Sequence, residues 1–347
     1  MSAWPRVHGA AAPRLAGTGE SRLPRVVALG GGTGLPILLE GLGSWLCPEE
    51  AGAPDLDQIT AIVSMADDGG SSGRLRRAFD VPPPGDLRNC LLALSSQSSD
   101  LRDLFAYRFD GHQDVGGHSL GNLILTALSR MEPGLTGALD RASLLLGVRG
   151  RVIPSTLDRI SLRAVFDDGT SIEGESAIAT ARRPIRRLVL EPADARPHPG
   201  ALRAIEQAGL ILISPGSLYT SLLPVLMVPG IAEAMLRADA RVALVCNLLT
   251  EPGETDGFSA ADFVMAIRSH VPELRLDDVL LHDGAVDVPE GSSAAVRVDM
   301  EPLRFLGVRP VLRDIAEAGP SPRHDAVRLG RAVMDLVMHA PCRVRRP

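Results

Sequence analysis

Short apolar runs that stop at glycine or a polar loop, each followed by helically spaced leucines, recur along most of this chain, and that rhythm constrains its fold more than any other feature. Residues 25–30 (Arg-Val-Val-Ala-Leu-Gly) read as a strand, and the spacing from Leu35 to Leu42 as the helix after it. A second strand is expected at 59–64, then helices over Leu87 to Leu94, Leu120 to Met131 and Leu135 to Leu146. Beyond about 190 the rhythm returns, with helix 200–208, strand 210–214, helix 230–238, strand 241–246, helix 259–269 and strand 278–282. A last helix at about 323–338 is expected to dock on a sheet face. Strands alternating with helices imply right-handed crossovers and an α/β, doubly wound, mostly parallel sheet. Between about 151 and 190 the pattern changes to short alternating runs around the turn Asp167-Asp168-Gly169-Thr170, which reads as a small antiparallel β insertion. The polar stretch from Asp67 through Gly85 has no clear periodicity and reads as one long loop.

Composition supports this architecture. Apolar residues make up 45% and aromatics 3% of 347 residues, so the core must be built from Leu, Val, Ile and Ala. The expected organisation is one large domain over 23–340 with the insertion inside it. Residues 1–22, rich in Ala, Arg, Gly and Pro and without a continuous apolar segment, read as a disordered tail. Four cysteines stand far apart with no paired spacing, and no run approaches the roughly 18 apolar residues of a membrane span. A cytoplasmic protein is expected.

Charge narrows the function classes. A formal net charge of -6 removes any general attraction to nucleic acid or to an anionic membrane. All 36 basic residues are arginine, because the chain contains no lysine. A Walker-type phosphate loop and a Schiff-base mechanism both need a lysine, so both are excluded. Any phosphate must be held by backbone N–H groups and arginine forks.

In such a sheet, ligands bind beyond the carboxyl ends of the strands, and the unusual motifs fall there. Gly30-Gly31-Gly32-Thr33-Gly34 follows the first strand and can aim amides at a phosphate in front of a helix N-terminus. Leu35 and Ile37 stand where a dinucleotide fingerprint would need glycine, which disfavours NAD. After the second strand comes Asp67-Asp68-Gly69-Gly70-Ser71-Ser72-Gly73-Arg74. Its carboxylates could ligate Mg²⁺ or take ligand hydroxyls while Arg74 meets a phosphate. Asp86 lies in Pro83-Pro84-Gly85-Asp86-Leu87-Arg88-Asn89 and reads equally well as a helix N-cap or a catalytic acid, with Arg88 and Asn89 beside it. His118, in Gly117-His118-Ser119-Leu120-Gly121-Asn122, is a candidate acid, base or ligand donor, with Asn122 near it. Pro215-Gly216-Ser217-Leu218-Tyr219-Thr220-Ser221 gathers hydroxyls and amides at a strand end as an anion cradle, and Asn247 ends the next strand. Asn247 leads into Thr250-Glu251-Pro252-Gly253-Glu254-Thr255, which reads either as a cap on the site or as a simple turn of the chain. Asp67, Asp68, Asp86 and His118 are thus the catalytic candidates, and the residue pattern leaves open whether any reaction occurs.

These motifs, in this order, resemble the CofD-like family and, within it, the YvcK-type gluconeogenesis factors. The resemblance runs over roughly 25–285, including Val152-Ile153-Pro154-Ser155-Thr156 and Gly174-Glu175. It implies a Rossmann-like fold and a homodimer. One branch of the family contains 2-phospho-L-lactate transferases of coenzyme F420 biosynthesis, which use a nucleotide-activated donor and Mg²⁺. The other binds UDP-sugars such as UDP-N-acetylglucosamine and supports cell shape and peptidoglycan synthesis under gluconeogenic growth. The serine-glycine continuation at 71–73 is similar to this second branch. The implied ligand is therefore a small nucleotide-sugar. Gly31 to Gly34 and Pro215 to Ser221 would cradle its diphosphate, and Asp67 and Asp68 would hold hydroxyls or Mg²⁺. Arg74, Arg88 and Asn122 would complete the wall. The chain departs from the family pattern at Ala208-Gly209, Ser214 and Asp262-Phe263, and leaves the phosphate loops intact.

Overall fold

In the computed structural model the described residues are 23–48, 54–96, 100–111, 114–288, 294–319 and 322–339. The expected tail and Cys342 lie outside them. The first half runs β1 (Val26–Gly30), α1 (Gly34–Leu46), β2 (Ile59–Val63), α2 (Gly70–Phe79), α3 (Gly85–Ala93), α4 (Asp100–Ala106), α5 (Leu120–Met131), α6 (Gly134–Leu146) and β3 (Arg151–Pro154). An antiparallel unit follows: β4 (Ser161–Phe166), β5 (Ser171–Glu173), α7 (Glu175–Ala181) and β6 (Ile185–Glu191). The remainder is α8 (Pro199–Gln207), β7 (Leu210–Ile213), a π-helical turn (Leu218–Leu222), α9 (Leu223–Leu226), α10 (Ile231–Arg237), β8 (Arg241–Val245), α11 (Ala260–His270), β9 (Asp278–His282), α12 (Met300–Phe305), β10 (Arg309–Arg313) and α13 (Ala326–His339).

Seven strands form one sheet in the order β10-β9-β8-β7-β1-β2-β3, and every pairing in it is parallel. Val-Val-Ala-Leu-Gly, Ile-Thr-Ala-Ile-Val and Leu-Ile-Leu-Ile at β1, β2 and β7 are buried at every position, which is why they read as continuous apolar runs. The second sheet, β5-β4-β6, is antiparallel, and β4 alternates half-buried and buried side chains as a one-faced strand should.

Five expectations shift. β3 belongs to the parallel sheet, so the antiparallel insertion begins at 161, not 151. The stretch 67–85 is not a continuous loop but contains α2, whose short polar residues hid its helical period. The edge strand β10 and the helices α4 and α12, five to seven residues each, are too short to show a period in the sequence. The glycine-and-hydroxyl segment after β7 is not an open loop, because it coils into the π-helical turn. Finally, α13 packs chiefly on α1 rather than on a sheet face. Their backbones meet at Gly41 and Gly330, where a Cβ on Gly330 would lie 2.4 Å from the Gly41 carbonyl oxygen.

β1 lies between β7 and β2, and the chain leaves it first toward β2 and β3, then crosses back to β7 on its other side. The crevice beyond the carboxyl ends of β1 and β7 is therefore the topological switch point, where parallel sheets bind ligands.

Candidate functional site

At that crevice the turn after β1 meets the turn after β7. Gly32 holds φ +63, a left-handed conformation that favours glycine. A Cβ on Gly34 would stand 1.9 Å from the Pro215 carbonyl oxygen, so only glycine lets the start of α1 lie against the 215–217 turn. Thr33 makes no side-chain cap to α1, and the helix N-terminus keeps its positive end for an anion. Ser64, Ser221 and Asp86 surround Gly31 and Gly32: a Cβ on Gly31 would lie 2.8 Å from Asp86 Oδ2 and 3.1 Å from Ser64 Cβ.

Two side chains fix these turns. Asp86 Oδ2 accepts the Gly32 N–H at 2.8 Å. Asp86 is therefore not an N-cap; Pro84 occupies that position, and the carboxylate reaches across to the glycine turn instead. Burial pushes its pKa up to about 6, and the charge of Asp67 pushes the same way. Asn247 clamps the second turn from both sides. Its Oδ1 accepts the Gly216 N–H at 2.9 Å and its Nδ2 donates to the Gly216 carbonyl at 2.8 Å.

Ser217 donates to Glu254 Oε2 at 2.9 Å and accepts from the Thr220 hydroxyl at 2.7 Å. Glu254 is buried and raised to about 7, first by desolvation and then by Glu251. Neither glutamate was singled out from the sequence; the signal available was only their place in the loop after Asn247. Tyr219 points away from the crevice. It is buried, its hydroxyl reaches the Ile185 carbonyl, and its ring meets His270 edge-on, so it fastens the antiparallel unit rather than facing a ligand.

The head of α2 and the segment between α4 and α5 form an adjoining cleft of about 360 Å³ lined by Gly70, Ser71, Arg74, Arg108, Gly116 and Gly117. Ser71 Oγ lies 2.8 Å from His118 Nδ1 and accepts from Asn122 Nδ2 at 3.0 Å. The serine oxygen has a second lone pair, so it can donate to Nδ1 or accept from it, and either ring tautomer satisfies the contact. Burial, with Arg74 and Arg108, lowers the His118 pKa, which favours the neutral ring. Arg74 donates to the Gly116 carbonyl at 2.5 Å, and Arg108 to the Gly117 carbonyl at 2.7 Å. Ser72 Oγ accepts the Gly85 N–H at 3.1 Å and ties this cleft to the crevice. Arg88 is drawn inward: buried between α3 and α5, it donates to Ser119 Oγ and to Asn89 Oδ1. It and Asn89 hold the helices together rather than face the opening.

The acidic residues divide by task. Asp68 accepts the N–H groups of Glu175 and Ser176 at 3.0 and 2.9 Å, one with each oxygen, and so caps α7. Asp67 uses only Oδ1, on the Gly69 N–H at 2.9 Å. Glu175 is raised to about 7 by burial first and then by Asp67 and Asp68. Among the described residues no group of three or more His, Cys, Asp or Glu is set to enclose a metal ion. Asp67 and Asp86 each have one oxygen outside these backbone hydrogen bonds, which fits Mg²⁺ held by one or two carboxylates and the oxygens of a bound phosphate. Asp68 does not fit that role.

The family model described as 2-phospho-L-lactate transferase CofD matches residues 26–316. A protein of Halalkalibacterium halodurans named gluconeogenesis factor is 41% identical over 317 residues, covering 89% of this chain and 95% of its own. A Bacillus subtilis protein of the same name is 40% identical over 324 residues, covering 90% and 98%. A crystal structure of a Bacillus halodurans protein superposes with a TM-score of 0.82 at 41% identity, covering 89% of this chain and 99% of that one. Among the described residues no single helix is long and apolar enough to cross a membrane.

Proposed function

The chain belongs to the CofD family and is similar to its gluconeogenesis factors, and from that premise we propose that it is a regulator that binds a UDP-sugar of the UDP-N-acetylglucosamine type. The observation that carries the reading is the meeting of two glycine turns at the switch point, each pinned by a distant side chain, Asp86 for one and Asn247 for the other. With the Gly32 and Gly216 amides engaged by Asp86 and Asn247, the backbone amides of Gly31, Thr33, Gly34 and Ser217 hold the diphosphate there, with the N-terminus of α1 behind it. Arg74 and Arg108, on the adjoining cleft, supply the positive charge that the missing lysine would provide elsewhere. Occupancy would report sugar-nucleotide supply to cell-shape and wall synthesis under gluconeogenic growth, in keeping with the name its relatives carry. The protein would act as a homodimer.

A second reading rests on the carboxylates: a nucleotide-dependent phospholactate transferase in which Asp67 and Asp86 hold Mg²⁺. The metal would supply charge neutralisation on the phosphates. In that case Asp86 would also keep Gly32 in place, and the amide turns would orient the donor. Calorimetric titration of the purified protein with UDP-N-acetylglucosamine and with GDP separates the two. Heat with the UDP-sugar alone is expected; tight GDP binding with no UDP-sugar heat overturns the regulator reading in favour of the transferase.

A further inference from the structure

On the return crossover from β3 to β7 the chain passes over β2 and β1, and the helix there is α8, nine residues long. A helix of that length spans about 13 Å and covers about 10 Å across, roughly two strands. A groove of about 300 Å³ remains beneath it. Its floor is set by register. Val27 pairs with Thr60 and Thr60 with Arg151, so these three side chains stand in one row on one face, with Ile153 in the next row. Thr60 is 3% exposed and sets a hydroxyl beside the aliphatic Val27 and Ile153 of the floor. The amino-terminal rim carries Arg25 and Asp57, and α8 contributes His198, Arg203 and Gln207.

The charges do not balance. Asp57 serves both Arg25, at 3.7 Å, and Arg151, and it is the only carboxylate in the lining. Arg203 makes no ion pair among the described residues. Three guanidinium groups therefore face one carboxylate, in a protein whose net charge is -6. His198 accepts the Gly200 N–H at 3.0 Å and meets the Thr136 hydroxyl at 3.2 Å, and the charge of Asp140 on α6 acts on it from outside the lining.

We propose that this groove is a second ligand site, for a small polyanion of the phosphate or carboxylate class. It opens at the amino ends of β1 to β3, whereas the crevice lies at their carboxyl ends. Arginine forks bind such anions bidentately, and the volume is that of a small-metabolite pocket.

Calorimetric titration with inorganic pyrophosphate and with citrate, at matched ionic strength, tests this on wild type, Arg203→Ala, Arg203→Lys and Asn247→Leu. Saturable binding is expected in wild type and in Asn247→Leu, weakened about tenfold or more in Arg203→Ala and partly restored in Arg203→Lys. Whichever probe binds more tightly identifies the anion class. Arg203 is exposed, so Arg203→Ala should fold, and its melting curve checks that. Equal binding in wild type and Arg203→Ala, or no binding in wild type, overturns the proposal. Loss confined to Asn247→Leu also overturns it, because the anion would then be entering the crevice. None of these outcomes depends on whether the crevice takes a UDP-sugar.

Discussion

Asp86 Oδ2 receives the Gly32 N–H at 2.8 Å across 54 residues of sequence, so the first turn of α3 holds the glycine turn after β1 in shape. That contact ties the electrostatics of the crevice to its geometry. With its pKa raised from 3.8 to about 6, mainly by burial, Asp86 binds a proton more readily folded than unfolded. The stability it contributes is therefore fully present below about 4 and lost as pH rises through 6. Glu175, raised from 4.5 to about 7, acts in the same direction. Urea unfolding at pH 5 and pH 7.5 should show this component as a loss of stability at the higher pH, and Asp86→Asn should reduce that loss. A pH dependence identical in the variant would remove Asp86 as its source.

The same carboxylates repel a diphosphate when ionised. A diphosphate diester such as UDP-N-acetylglucosamine does not itself titrate in this range. Its affinity is expected to rise as pH falls from 7.5 to 5.5, and to rise less in Asp86→Asn. Calorimetry at the two pH values checks it, and an affinity that falls on acidification would contradict the placement of the diphosphate.

Asp68 serves the antiparallel unit rather than the ligand. Asp68→Ala removes both acceptors from the start of α7, and a loss of about 1–2 kcal/mol is expected. UDP-sugar affinity should not change. Unaltered melting together with lost binding would return Asp68 to the ligand wall.

Asn247→Leu leaves the Gly216 N–H and carbonyl without the clamp, at a cost of about 1–3 kcal/mol if water does not replace it. Ligand affinity should fall with stability, because the 215–217 turn loses its shape. Denaturant titration and calorimetry on one preparation read both, and undiminished affinity would show that the turn keeps its shape without Asn247.

At the crossing of α1 and α13 a side chain has no room. Gly330→Val should destabilise by about 1–3 kcal/mol, since the atoms it meets are the Gly41 backbone and cannot rotate aside. Thermal melting measures it, and a neutral outcome would mean that the two helices separate readily.

The parallel sheet and the glycine turns at its carboxyl edge were legible for one physical reason: strands buried on both faces are uninterrupted apolar runs, and turns in left-handed or crowded backbone need glycine. Both are local properties of Val26–Gly30 or Gly30-Gly31-Gly32-Thr33-Gly34, written in adjacent letters. The antiparallel unit was legible too, through its turn at 167–170, although not its start. What tertiary structure alone decided was the partner of each polar side chain. Asp68 and Asp67 are neighbours of the same type, yet one caps a helix more than a hundred residues away and the other keeps an oxygen for the crevice. Asp86 had the position of a cap and became a strut; Arg88 and Tyr219 sat inside binding motifs and turned into the core; Glu254 was passed over and lies against Ser217. A hydrogen bond reaches about 3 Å in space and carries no mark in sequence, so residue type and spacing determined which turns gather at the switch point, and only the packed chain determined which atoms meet there.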